Sequence, residues 1–263
     1  MQMARRVALD GLQLDNADAR IVISAVEPGE ARENISAAET AGGFGQRIES
    51  RHRSTMDIVV RFKIMQNGRS AAGMQVRSEV LEKANAWARN GGLLTTNFKP
   101  GKWIRVVLAQ PAAEGSLWEF DKEFQLTFRA YGIPYWEDTS KTAAEVDSEG
   151  SNILFRGSAE AQVDAEMENT GSGTIDEAMI SIGGVVMSFD DLGLASGEAL
   201  VIDHTDDGLL RIRINNDGTY RSAMAKRTPE SADDFLIAPG LRNCYYSADG
   251  DASLALTWRN RYL

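Results

Sequence analysis

GEALVIDHTDDGLLRIRI (Gly197–Ile214), DDFLIAPGLRN (Asp233–Asn243) and LALTWRNRYL (Leu254–Leu263) decide the fold of this chain. In each block apolar and polar residues alternate, and turn-forming residues separate one block from the next. A β-strand points successive side chains to opposite faces, so a period of two means a strand with one face in a core and the other in water. Working back from these blocks, short strands are predicted around Ile153–Phe155, Gln162–Glu168, Ile175–Ile182, Val185–Phe189, Ala199–Ile202 and Leu209–Ile214. Gly171-Ser172-Gly173, Gly183-Gly184 and Asn216-Asp217-Gly218 supply the turns between them. Turn signals at intervals of roughly 8 to 12 residues, with no helical period in between, describe an antiparallel β-sandwich.

The first half mixes periods. RVALDGL (Arg6–Leu12) and ARIVISAVEPG (Ala19–Gly29) read as short strands, and Thr55–Met65, TMDIVVRFKIM, as a longer one with Ile58, Val60, Phe62 and Ile64 on one face. Between them, Ala31–Ser54 is a polar, glycine-bearing excursion with one weak strand signal. Excursions of that length within a compact domain are commonly functional or lie against a partner. From Ser70 the period changes. Ala72, Val76, Val80, Ala84, Trp87 and Ala88 recur at three- and four-residue spacing and Gly91-Gly92 ends the run, which predicts one helix over about 70–90, its stripe packed on a sheet. Trp103–Leu108 and Glu119–Ala130 follow as strands joined through Pro111–Ser116.

With 263 residues, 43% of them hydrophobic, the chain can bury a substantial core. Charge divides it: residues 1–137 hold 18 Lys and Arg against 16 Asp and Glu, and residues 138–263 hold 10 against 22. Two domains are therefore expected, 1–137 and 153–253, joined by an exposed connection over 138–152, where small and charged residues predominate. An acidic second half lacks the basic face that phosphate neutralisation requires, which argues against nucleic-acid binding there. Cys244 is the single cysteine, so no intrachain disulfide can form, and its apolar neighbours point to a buried structural thiol. Asp10 interrupts the N-terminal segment before a signal-length apolar run develops, and no stretch approaches the ~20 apolar residues of a spanning helix, so synthesis and folding in the cytosol are expected.

Catalytic and metal chemistry find no motif. His52 and His204 are the two histidines, and no G-x-S-x-G elbow accompanies either. His52 lies among arginines, which oppose its protonation. Asp203–Ile214 has the acidic start and sixth-position glycine (Gly208) of an EF-hand loop, but Ile214 stands where a bidentate Glu is needed and strands flank it, so a polar hairpin turn is expected. Asp190-Asp191 and Asp233-Asp234 are adjacent pairs, which on a strand would face opposite ways and could not share a proton. Gly42–Gly45 lacks phosphate-loop spacing. No catalytic, cofactor-binding or metal-ligating residue is predicted, and no cofactor.

The order of AWARNGG (Ala86–Gly92), FKPGKWIRVVLAQ (Phe98–Gln110) and EFQLTFRAYGIPYWED (Glu123–Asp138), then IGGVVMSF (Ile182–Phe189), GEALVID (Gly197–Asp203) and FLIAPGLRN (Phe235–Asn243), resembles that of siphophage distal tail proteins, baseplate hub components of long-tailed bacteriophages. The resemblance implies a mainly β chain: an N-terminal, split β-barrel-like sheet domain with one helix, to which the last strand, 254–263, returns, followed by a galectin-like sandwich. It implies a structural virion protein and not an enzyme. The implied assembly is a homohexameric ring at the tail tip, built in the host cytoplasm, that joins the tail tube to the hub and adsorption apparatus. Tail tube protein, hub protein and receptor-binding protein would be its partners, with DNA passing through the lumen unbound and Ala31–Ser54 as an intersubunit arm. Two alternatives stay open: a carbohydrate-binding module using Trp258, Tyr220, Tyr245 or Tyr246, and another ring protein of the tail-tube type.

Overall fold

The alternating stretches form antiparallel strands in the computed structural model, which describes residues 6–29, 33–39, 46–53, 55–65, 70–113, 123–132, 134–205 and 208–263, with 33–39 and 46–53 as backbone. The chain divides into two units, Met1–Trp136 and Glu137–Leu263. In the first, β1 (Val7–Leu9), β2 (Leu12–Gln13), α1 (Leu14–Ala17) and β3 (Ile21–Pro28) precede β4 (Glu33–Glu39), β5 (Gln46–Arg53) and β6 (Asp57–Ile64). Then come α2 (Ala71–Ala88), β7 (Gly92–Thr96), β8 (Lys102–Gln110) and β9 (Phe124–Ala130). The sheet runs in the order β2-β1-β7-β8-β9-β6-β3. Ile58, Val60 and Phe62 of β6 register with Phe128, Leu126 and Phe124 of β9, so one face becomes a continuous apolar surface, and Phe62 stacks on Phe124 at 5.7 Å. Each such fully buried side chain contributes about 1.5–3 kcal/mol of transfer free energy.

α2 covers that face. The Ser70 side chain accepts a hydrogen bond from the Gly73 N–H at 3.2 Å and so caps the first turn, and helix-favouring Ala, Met, Leu, Glu and Lys fill the interior. Gly91, at φ +64, ends it with its N–H on the Ala88 carbonyl, and a β-carbon there would meet the Val106 carbonyl oxygen at 2.1 Å. Its buried face is Gly73, Arg77, Val80, Leu81, Ala84 and Ala88, rotated from the expected stripe, with Ala72 exposed and Val76 half-buried. Trp87 lies edge-on to Phe128 at 6.0 Å and donates its indole N–H to the Leu12 carbonyl at 2.8 Å. On the outer side of the helix, Lys83 reaches Asp18, which Arg20 also holds at 2.7 Å.

β4 and β5 stand apart as a two-stranded hairpin, registered from Glu33 opposite Arg53 to Glu39 opposite Gln46, with an irregularity at Ser36–Ala37. Among the described residues no other strand pairs with either. The excursion thus holds two strands instead of one: its small and polar residues give little amphipathic signal, and backbone pairing defines the hairpin.

β10 (Trp136–Asp138) crosses the boundary between the units. The second unit then contains β11 (Thr142–Val146), β12 (Ser151–Phe155), β13 (Ala161–Asn169), β14 (Ala178–Ile182), β15 (Val185–Phe189), β16 (Ala199–His204), β17 (Leu210–Asn216) and β18 (Thr219–Ser222). A 3₁₀ turn (Met224–Lys226), β19 (Leu236–Ile237), β20 (Gly240–Ala248), β21 (Ala252–Trp258) and β22 (Arg261–Tyr262) complete it. One sheet has the order β11-β21-β13-β16-β17-β18, with β19 pairing Ala161–Gln162 at the start of β13, and the other has β12-β20-β14-β15. Their inner faces form one core that includes Phe155, Met167, Ile180, Phe189, Leu200 and Phe235. Facing sheets that share such a core are a β-sandwich.

One expectation about boundaries is corrected. Residues 138–152 are not a free connection: Thr142–Val146 pairs along its whole length with Leu254–Trp258, and Ser151 opens β12. An edge strand of small residues with one half-buried face carries too weak an alternation to stand out. The terminal stretch 254–263 holds β21, which lies between β11 and β13, and β22, which pairs with β10, and the Arg261 guanidinium donates to Glu137 Oε1 at 2.8 Å and Gln162 Oε1 at 2.6 Å. Asp190-Asp191 and Asp233-Asp234 occupy turns and not strands, with Asp191 at φ +51. Of the strand expected over Glu119–Ala130, residues 119–122 lie outside the described residues, and β9 begins at Phe124.

Candidate functional site

His204 is a buried ionisable side chain of the second unit, held between two carboxylates. It ends β16, where Nδ1 lies 2.9 Å from Asp164 Oδ1 on β13 and Nε2 lies 2.6 Å from Asp234 Oδ1 in the segment before β19. The ring is 6% exposed, and Lys141 Nζ holds the other oxygen of Asp164 at 2.7 Å. Burial alone would depress the histidine pKa, but the hydrogen bonds and charges of Asp164 and Asp234 outweigh it and push the group up to about 9. The same burial would raise Asp164, yet His204 and Lys141 hold its carboxyl below the usual range. A ring with both N–H groups given to carboxylates has no lone pair to accept a proton, so His204 is not arranged as a general base.

Asp203, on the opposite face of the same strand, binds Arg211 at 2.6 Å and Arg213 at 2.7 Å. Those contacts saturate the carboxylate that would have opened a calcium loop, while Asp206 and Asp207 lie outside the described residues. Among the described residues, no group of three or more His, Cys, Asp or Glu is placed to hold a metal. His52 and Gly42–Gly45 cannot be placed in the same way: for the first only the backbone is described, and the second lies outside. Cys244 is buried in β20, and that burial raises its thiol pKa, which disfavours the nucleophilic thiolate.

The aromatic side chains considered for a saccharide platform are dispersed. Trp258 is 2% exposed, tilted against the Phe155 ring at 4.6 Å with its N–H on Asn260. The Tyr246 hydroxyl donates to the Ala252 carbonyl at 2.7 Å. Tyr220 is exposed under the Arg213 guanidinium at 4.2 Å, and Tyr245 is exposed on the other sheet. A recess of about 870 Å³ lies along β11, β13 and β21, lined by Glu145, Asp147, Glu149, Glu166, Glu168 and Tyr246. Its carboxylates repel anions and give no stacking face to a sugar. Asp164 and Asp234 could not have been found beside His204 from sequence, because 40 and 30 residues separate them and neither sits in a local motif.

A helix-backed antiparallel sheet followed by a β-sandwich describes a mainly β chain. The architecture is similar to that of the Dit protein of phage SPP1, described as a paradigm of the hub adsorption apparatus in phages infecting Gram-positive hosts: the TM-score is 0.69 at 13% identity, covering 98% of this chain and 99% of that one. Chains of the phage P2 baseplate in its activated conformation, with Ca and with Sr, align at a TM-score of 0.43 with 9% and 8% identity, covering 97% of this chain in each case and 98% and 97% of the other. No protein-family model and no curated protein matches the sequence.

Proposed function

We propose that this chain is a distal tail protein of a long-tailed bacteriophage or prophage: a non-enzymatic, homohexameric ring at the virion tail tip that joins the tail tube to the hub and adsorption apparatus, assembled in the host cytoplasm. The observation that carries this reading is the end-to-end fold likeness to the SPP1 hub protein, which spans both units and not one common sandwich. Two features support it. An isolated two-stranded hairpin is marginal in water and gains from a further partner, which suits β4–β5 to an intersubunit arm. A net charge of −10 suits a lumen through which DNA passes without adhering.

Light scattering on the purified chain, with negative-stain images of the same fraction, tests the reading. Closed six-fold rings are expected. A monomer at every concentration, with no ring formed on addition of tail-tube and hub proteins, would overturn it.

A further inference from the structure

The connection from β18 to β20 carries the chain from one sheet of the sandwich to the other, and Arg227–Ile237 is fastened to both. Toward the four-stranded sheet, the Thr228 N–H donates to the Ser188 carbonyl at 2.9 Å, the Ala232 N–H to the Val186 carbonyl at 2.8 Å, and the Ser188 N–H to the Ser231 hydroxyl at 2.8 Å. Toward the larger sheet, Phe235 is fully buried, its carbonyl accepts the Val163 N–H at 3.1 Å, and Leu236–Ile237 pairs with Ala161–Gln162. Asp234, beside Phe235, adds an ionic tie to His204. The crossover therefore closes one side of the sandwich.

We propose that Asp164–His204–Asp234 is a protonation-operated latch that holds the crossover Arg227–Ile237 shut along that side. Geometry requires it. A neutral imidazole has one N–H, so at 2.9 Å and 2.6 Å from two carboxylates it would satisfy one and set its lone pair against the other. Only the imidazolium donates to both. Loss of its proton leaves two buried-edge carboxylates with one donor between them, and the repelled partner is Asp234, since Lys141 independently holds Asp164. The other charged groups nearby do not replace the missing donor. Arg211 and Arg213 are bound to Asp203, although Arg211 also acts on Asp164 through space, and Asp233 is exposed beside Arg227 at 3.5 Å. The folded-state pKa of about 9 lies above the ordinary 6.5, so the latch is fully closed below pH 6.5 and opens as pH rises through about 9.

The test uses the full chain. NMR of the imidazoles from pH about 6 to about 10 follows both histidines, with His204→Gln assigning the resonances, while hydrogen exchange corrected for base catalysis gives the protection of Arg227–Ile237 amides. His204 is expected to titrate near 9, with crossover protection falling about tenfold along the same curve while the β13–β16 amides stay protected. In Asp234→Asn, the histidine pKa is expected to drop by about one unit. Titration of His204 near 6.5, flat crossover protection, or loss of protection that coincides with the β13–β16 core would each overturn the latch. The exchange readings come from the wild-type chain and stand even where a variant does not fold.

Discussion

The two units solve the burial problem differently. In the first, α2 covers one face of a single sheet, where Trp87 meets Phe128, Arg77 lies over Phe124, and Val80, Leu81 and Ala84 are fully buried. In the second, two sheets cover each other, and connections between them must pass the open sides, where backbone groups need partners. Polar side chains therefore enter the structure there. Asn169 donates to the Gly173 and Leu194 carbonyls at 2.8 Å each, Asn260 accepts the Arg156 N–H, and Glu198 accepts the Ala195 N–H along with Asn216 and Arg221. Of the buried polar or charged side chains among the described residues, Arg77 and Thr96 belong to the first unit, and Glu137, Asn169, Ser181, Glu198, Asn260 and Arg261 to the second. A sandwich trades a helical cover for ionic and amide ties at its sides, and the His204 tie among them makes it the alkali-sensitive unit.

Core truncation gives the largest effect. Phe128→Ala and Phe235→Ala are each expected to cost about 3–5 kcal/mol, and calorimetry should show the first lowering one transition and the second another. A single transition shifted equally by both would break the distinction between the units. Next, Glu198→Ala strands the Arg221, Asn216 and Ala195 donors and is expected to cost about 2 kcal/mol in urea unfolding, whereas Asp18→Ala, whose partners Arg20 and Lys83 are partly in water, should cost less than about 1 kcal/mol.

The pH profile sharpens the contrast further. Asp18 and Asp57 in the first unit and Asp164 and Glu198 in the second have lowered folded-state pKa values, set chiefly by Arg20, Arg129, the His204 and Lys141 pair, and Arg221. Their contributions are complete above the ordinary carboxylate range and fade as pH falls below it, so both units weaken in acid. Alkali separates them. His204, Cys244 and Tyr262 have raised values, so the second unit loses stability on the order of 1 kcal/mol as pH passes about 9, while Lys99, depressed by burial, slightly favours the first at high pH. Thermal melts followed per unit at neutral and alkaline pH check this, and equal losses would contradict it. Smallest of all, Ser70→Ala removes one cap bond and should lower only the first transition, by at most about 1 kcal/mol.

What the sequence made legible was whatever one strand or helix encodes in itself. Ile58, Val60, Phe62 and Ile64 alternate and are all buried, and Val185–Phe189 is a strand with the expected bounds. The helix was legible in extent but not in rotation, because Arg77 faces inward near the Phe124 ring at 5.8 Å, and a charged residue marks the wrong face in any hydrophobic pattern. β11 escaped notice for the opposite reason, being small and charged with only Val146 fully buried. The His204 cluster depends on three segments meeting in space, which no local period records.

Cys244 gives the second unit a built-in clock. It is the sole thiol of the chain and lies within β20, with the chain of β14 on one side and β12 on the other. A thiol reagent can reach it only after the strands around it separate, so the rate of modification counts opening events of that sheet. At low denaturant, this rate yields the opening free energy of the sandwich directly, with no label added and without interference from the first unit.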